Sequence, residues 1–282
     1  MNLPGLIEEI DKADPEFKDR ISPRRDAIKN IASFGSKVAI ASLPFVFSTL
    51  FKKAYGQTGP SLSVIATLNF ALKLEYLESA FYNAGLANTT LKAQFSATEL
   101  AYLTEIMGHE NEHVAYLQSI LGTNAVAQST QGTNGTYDFT AGGTFPTVMT
   151  QSATFLTVAC AFEDTGVRAY KGAAPGLIGQ QVYLTAALDI HSVEARHASA
   201  IRQLLYARGV TIKPWITGAN DTGVAAVNAN YAGEDATVQD GINILALPAV
   251  SGTTSTTAAT EAFDEPLTSA QVMPLVAPFG VM

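Results

Sequence analysis

The sequence predicts an all-α protein: a four-helix bundle with one long crossover, followed by an irregular C-terminal tail wrapping the bundle. Three observations carry this prediction. Four long segments hold apolar stripes at helical spacing, the links between them run short, long, short, and the helical period disappears after Gly209.

The first segment covers 61–86, with Ser61 or Ser63 placed to cap its start. The second covers 96–122, where Ser96 and Glu99 have the spacing of a capping box. The third covers 147–171 and is expected to stop at Gly172. The fourth covers 177–208 and stops at Gly209, a residue suited to the left-handed position after a helix. Links 87–95 and 172–176 are short and join antiparallel neighbours. Link 123–146, rich in Thr, Gly and Asn, is long enough to cross the bundle. Residues 210–282 carry five prolines and a low-complexity run at 251–260, and their apolar residues are too scattered for a second core.

Residues 1–56 read as an export leader. Arg24-Arg25 precede an apolar run at 38–51, and Ala54 and Gly56 put small residues at −3 and −1 of a junction with Gln57. The layout resembles a twin-arginine signal, and the run is short for a membrane span. The expected location is therefore a bacterial periplasm or cell envelope, with membrane contact only through an uncleaved leader. The chain divides into 1–56, 57–209 and 210–282.

Composition narrows the function. With 47% apolar and 15% charged residues the chain is globular, and a net charge of −8 without a basic stripe argues against nucleic acid. The single Cys160 excludes a disulfide framework and a cysteine zinc site, and reads as a small buried apolar residue. The four histidines fall in two clusters, His109 with His113 and His191 with His197.

Those clusters contain the chemistry. Glu110-Asn-Glu-His113 and Glu194-Ala-Arg-His197 are both Glu-x-x-His, which puts a carboxylate and an imidazole one turn apart on one helical face. The other two segments each place a glutamate seven residues before a tyrosine, Glu75 before Tyr82 and Glu163 before Tyr170. The chain thus repeats a helix pair, and two such pairs predict a site of approximate twofold symmetry. On each helical wheel the ionisable group lies mid-stripe: Glu75 among Leu68, Leu72 and Tyr82, and His113 among Ile106, Leu117 and Ile120. Glu163 lies among Leu156, Ala159 and Tyr170 with Arg168 opposite, and His197 among Ile190, Ile201 and Leu204 with Arg202 opposite. Buried carboxylates repel one another and cannot all stay ionised unaided. Two divalent cations would cancel four negative charges, and an oxygen and nitrogen donor set without thiolate suits iron or manganese.

Glu75, Glu110-x-x-His113, Glu163 and Glu194-x-x-His197 resemble the ligand pattern of the ferritin-like di-iron carboxylate superfamily. The leader and the phrase Glu261-Ala-Phe-Asp-Glu-Pro-Leu-Thr268 are similar to exported ferritin-like domain proteins related to desiccation-associated proteins. The resemblance implies bridging roles for Glu110 and Glu194, terminal roles for Glu75 and Glu163, and one metal on each of His113 and His197. Glu78, one turn after Glu75, is the alternative ligand. Tyr82, Tyr170 and His109 are candidates for bonds to the ligands, whereas His191 points away from His197. The implied cofactor is a pair of iron or manganese ions, with O2 or H2O2 as small substrates in an oxidase- or manganese-catalase-like reaction. The alternative is a non-enzymatic envelope or stress-associated protein with a structural di-metal site. A homo-oligomer is compatible with either.

Overall fold

The computed structural model describes residues 60–133, 136–247 and 255–282, and the expected leader at 1–56 lies outside the described residues. Helix α1 (Leu62–Ala87) starts where the Ser61 side chain accepts from the Val64 N–H. The short α2 (Thr89–Lys92) is capped by Asn88, and α3 (Ala97–Leu121) by the expected Ser96/Glu99 capping box. After the crossover come α4 (Ser152–Ala173) and α5 (Gln181–Ala207), the latter ended by Gly209 at φ +88°. Helix α1 packs chiefly on α3 and α4 on α5, giving the two repeated helix pairs.

Three boundaries differ from expectation: α5 starts at Gln181 rather than 177, after a 3-10 turn over Ala174–Leu177, and both ends of α4 move for a tertiary reason. Helix α4 starts at Ser152 rather than 147 because its cap comes from another loop. The Gln94 side chain accepts from Ser152 N (2.9 Å) and donates to Thr150 O (2.7 Å), which local sequence does not reveal. The helix also runs through Gly172 instead of stopping there. The tail crosses α4 at that point, and a Cβ on Gly172 would sit 2.0 Å from Leu267 O. Gly172 is there for close approach, with Leu267 N–H bonded to Arg168 O at 3.0 Å.

Burial follows from these neighbours. Helix α3 buries one stripe, Leu103, Ile106, Glu110, His113, Leu117 and Leu121, as an outer helix should. Helix α4 is buried continuously from Val158 to Tyr170, with the bundle on one side and the tail on the other. Near one end Phe81 stacks on Phe155 at 4.4 Å and meets Phe162 edge-on at 5.1 Å.

The tail is more regular than its composition predicts. It forms a 3-10 turn at Ala225–Tyr231 and a small antiparallel hairpin of β1 (Val238–Gln239) and β2 (Ile242–Asn243). Two short helices follow, α6 (Thr256–Glu261) and α7 (Ser269–Val276). Helix α7 begins with a Thr268/Gln271 capping box, a signal present in the sequence but masked by the lack of a long apolar period. The last residues bond to the crossover, Asp138 N–H donating to Phe279 O at 3.0 Å. No helix among the described residues is long and apolar enough to cross a membrane.

Gly172→Ala is expected to destabilise the fold by about 2 kcal/mol, within the range for overpacking against backbone. Urea unfolding of the variant should show this loss; unchanged stability would mean that the tail does not press on α4.

Candidate metal centre

The four long helices deliver Glu75 (α1), Glu110 and His113 (α3), Glu163 (α4) and Glu194 and His197 (α5) to one interior point. All four carboxylates are 0% exposed, and the imidazoles are 8% and 4% exposed. The donors form two overlapping groups. In one, ligand atoms of Glu75, Glu110, His113 and Glu194 lie within 4.8 Å of one another; in the other, those of Glu110, Glu163, Glu194 and His197 do so. Glu110 and Glu194 are common to both.

The contacts are those of a coordination site more than of a hydrogen-bond network. His113 Nδ1 has Glu75 Oε2 at 3.1 Å, Glu194 Oε1 at 3.1 Å and Glu110 Oε2 at 3.3 Å. One N–H carries one proton and cannot serve three carboxylates well. His197 Nδ1 lies 2.7 Å from Glu110 Oε1 and 3.4 Å from Glu163 Oε2. Despite that proximity, His197 Nδ1, Glu110 Oε1, Glu163 Oε2 and both Glu194 oxygens lack a hydrogen-bond partner. Their alignment is wrong for N–H···O bonds, and a cation between them would satisfy lone pairs that a proton does not. The residues present fit a divalent metal pair.

Without cations the electrostatics are poor. Burial, reinforced by the Glu110 charge, pushes the Glu194 carboxyl well above its ordinary range. Burial also raises Glu110, to about 7, against the opposing effect of the His113 and His197 imidazoles beside it. Burial alone would lower His197, but the Glu163 charge and contact with Glu110 raise it to about 11. His113 is raised likewise, its hydrogen bonds to carboxylates overcoming burial. The metal-free site thus favours protons on Glu194 and on both imidazoles, while Glu75, despite its burial, is lowered by its hydrogen bond with His113.

The tyrosines bond across the bundle. Tyr82 of α1 donates to Glu163 of α4 at 2.5 Å, and Tyr170 of α4 donates reciprocally to Glu75 of α1. Each fixes a carboxylate of the other helix pair, where the sequence reading had only each glutamate and tyrosine on a common face. Glu78 is buried beside the cluster but belongs to neither donor group. Burial and the Glu194 charge raise its carboxyl well above the usual range. Its symmetry-related position is Gly166, where a Cβ would lie 3.2 Å from Glu194 Oε2 and 3.4 Å from Glu78 Oε1. The missing side chain makes room for this fifth acid. Val276 of α7 helps close a void of about 10 Å³ there, roughly the space of one water. His109 Nδ1 lies 3.0 Å from His197 Nε2, and His191 is in neither donor group.

A second buried polar cluster went unread in the sequence. Arg168 and Arg202 do lie opposite the ligand face, but that face is covered by the tail and both side chains are 0% exposed. Arg168 pairs with Glu234 (2.7 Å) and donates to the carbonyls of Glu265, Asn230 and Ala232. Arg202 grips Asp164 through Nε (3.0 Å) and Nη2 (2.6 Å), and also pairs with Asp221. Tyr231 donates to Asp164 at 2.7 Å, and Cys160, buried as expected, donates to the same carboxylate at 3.3 Å. No spacing rule announces these partners, since Asp221, Tyr231 and Glu234 come from the tail.

Fold and site together define a helical bundle with a carboxylate–imidazole centre suited to divalent metal. The model of the ferritin-like domain family matches residues 63–207, just over half of the chain, and the protein belongs to that family. The search of curated proteins gave no match, and neither did the search of solved structures.

The two buried charge clusters should respond oppositely to substitution. Arg202→Ala is expected to lower the unfolding free energy by about 3–5 kcal/mol, because it strands buried Asp164. Glu194→Gln should leave the metal-free protein equally stable or more so, since it relieves crowding of acids. Denaturant curves in the presence of chelator read both; a large loss in Glu194→Gln would contradict this picture.

Proposed function

We propose that this bundle holds two divalent metal ions, iron or manganese, and uses them on a small oxidant, O2 or H2O2. The observation that carries the reading is Glu110, whose Oε1 faces His197 Nδ1 and whose Oε2 faces His113 Nδ1. A carboxylate with one oxygen at each imidazole is disposed to bridge two cations. In this reading Glu194 is the second bridge, Glu75 and Glu163 are terminal ligands, and His113 and His197 each take one metal. The donor set of carboxylates and imidazoles without thiolate favours iron or manganese over structural zinc. A redox-active pair would supply the electrons for oxidase or peroxide chemistry. The chain supplies the rest: Tyr82 and Tyr170 hold the terminal carboxylates, and the apolar stripes exclude bulk water.

The structural alternative, metals that merely hold the helices together, is less well supported. The tail already ties α4 and α5 through Arg168 and Arg202, and Glu78 adds a fifth buried acid that a scaffold has no need of. The leader adds a proposal of export, for which a mature N-terminus at Gln57 is the check.

Elemental analysis of protein made in iron- and manganese-supplemented medium is expected to give two metals per chain, falling to one or none in Glu110→Ala and Glu194→Ala. Unchanged stoichiometry in both variants would overturn the ligand assignment. Oxygen uptake on Fe(II) addition, or loss of peroxide from the manganese form, should accompany loading; full loading with neither activity would favour the scaffold. A further expectation concerns protons. At pH 7 both imidazoles of the metal-free site carry an extra proton, because their acid neighbours raise them, His197 to about 11. Cations and protons compete for the same lone pairs, so loading should release about two or more protons per chain and weaken as pH falls. Potentiometric titration at constant pH reads the release.

A further inference from the structure

The two halves of the centre correspond residue by residue: Glu75 with Glu163, Tyr82 with Tyr170, Glu110 with Glu194, His113 with His197. One neighbouring imidazole breaks that correspondence. His109 precedes Glu110 as Val193 precedes Glu194, so the equivalent of an imidazole on α3 is an alkyl group on α5.

His109 is built into a row. Its Nδ1 is 3.0 Å from His197 Nε2, with the rings within 10° of parallel and their centroids 5.2 Å apart, joined edge to edge. Its Nε2 is 3.3 Å from Glu105 Oε1, one turn back on α3 at the solvent-facing edge. The direction of the imidazole–imidazole bond follows from the two ends of the row. The Glu105 carboxylate, at ion-pair distance from His109 Nε2, favours the tautomer with the proton on that nitrogen. A neutral ring protonated there has its lone pair on Nδ1, so His197 Nε2 must donate to His109. That leaves His197 Nδ1 facing Glu110 and Glu163, the side from which a cation would be bound. At the position equivalent to His109 the other half has Val193, whose side chain offers neither donor nor acceptor.

We propose that His109 is a positioning residue that makes the two metal positions inequivalent. It holds His197 in the tautomer and ring orientation that presents Nδ1, and it links that position to the surface beside Glu105. This rests on the di-metal reading above. Partners of a ligating imidazole commonly contribute ten- to a hundredfold to metal affinity. The position at His197 should therefore be the tighter of the two by about that ratio.

The test is anaerobic Co(II) titration of the full chain, followed by visible absorption and by the paramagnetically shifted imidazole N–H proton resonances. Wild type is expected to bind two Co(II) ions in separable steps, with one of two shifted N–H signals protected from exchange. His109→Phe should weaken one step by about ten- to a hundredfold, leave the other unchanged and abolish the protected signal. His109→Gln, whose amide can both accept and donate, should restore most of the lost affinity. If His109→Phe does not fold, Glu105→Ala at its exposed site carries the test and should weaken the same step. Both steps unchanged, or both weakened equally, overturns the assignment of His109 while leaving the di-metal reading intact. Failure of wild type to bind any Co(II) overturns the di-metal reading itself, and with it this one.

Discussion

Mutual repulsion among acids in an apolar interior is the constraint on which the rest of the structure depends. Five glutamates, Glu75, Glu78, Glu110, Glu163 and Glu194, meet at the centre of the bundle with almost no contact with water. Helices do not assemble around such a cluster for stability's sake, because desolvated carboxylates oppose folding. The surrounding fold must supply the stability that the centre withholds. It does so with the aromatic packing of Phe81, Phe155 and Phe162 at one end and with the tail along α4 and α5.

The placement of the arginines follows from the same constraint. An arginine among the glutamates would neutralise them with a fixed cation and leave nothing for a metal to do. Arg168 and Arg202 instead sit on the reverse face of their helices, where tail carbonyls and the side chains of Asp164, Asp221 and Glu234 absorb their charge. The adjacent residues Glu163 and Asp164 illustrate the division. The first points inward and is held by a tyrosine; the second points outward and is held by an arginine. Two buried ionic systems thus share helices α4 and α5 without sharing partners.

Legibility in the sequence divided along similar lines. The long helices were readable because each keeps an apolar stripe over its full length, and the six donors because they interrupt those stripes at matching positions. Ser96 with Glu99 and Gly209 also behaved as local signals should. What escaped was tertiary. Gln94 caps α4 from a distant loop, Gly172 admits the tail where a stop was expected, and the short tail helices lack a period long enough to detect. Arg168 and Arg202 look like ordinary polar-face residues until the tail that buries them is in place. The crossed bonds from Tyr82 and Tyr170 likewise depend on how helices pair, which spacing along one helix does not determine.

The repeated helix pair accounts for the frame of the centre, and its departures from symmetry account for what is individual about it. Were the two halves identical, a chain folding on itself would present two equal metal positions. The two halves differ here at two pairs of equivalent positions. At one pair of equivalent positions the choice is an acid against no side chain at all, Glu78 and Gly166, and a Cβ on the glycine would press on Glu194 at 3.2 Å. At the other it is an imidazole against an alkyl group, His109 and Val193. Neither asymmetry serves the bundle as packing: Glu78 adds a charge to a place already overcharged, and His109 is only half-buried. Both departures from the repeat therefore lie beside the converging carboxylates and imidazoles, and packing of the bundle accounts for neither of them.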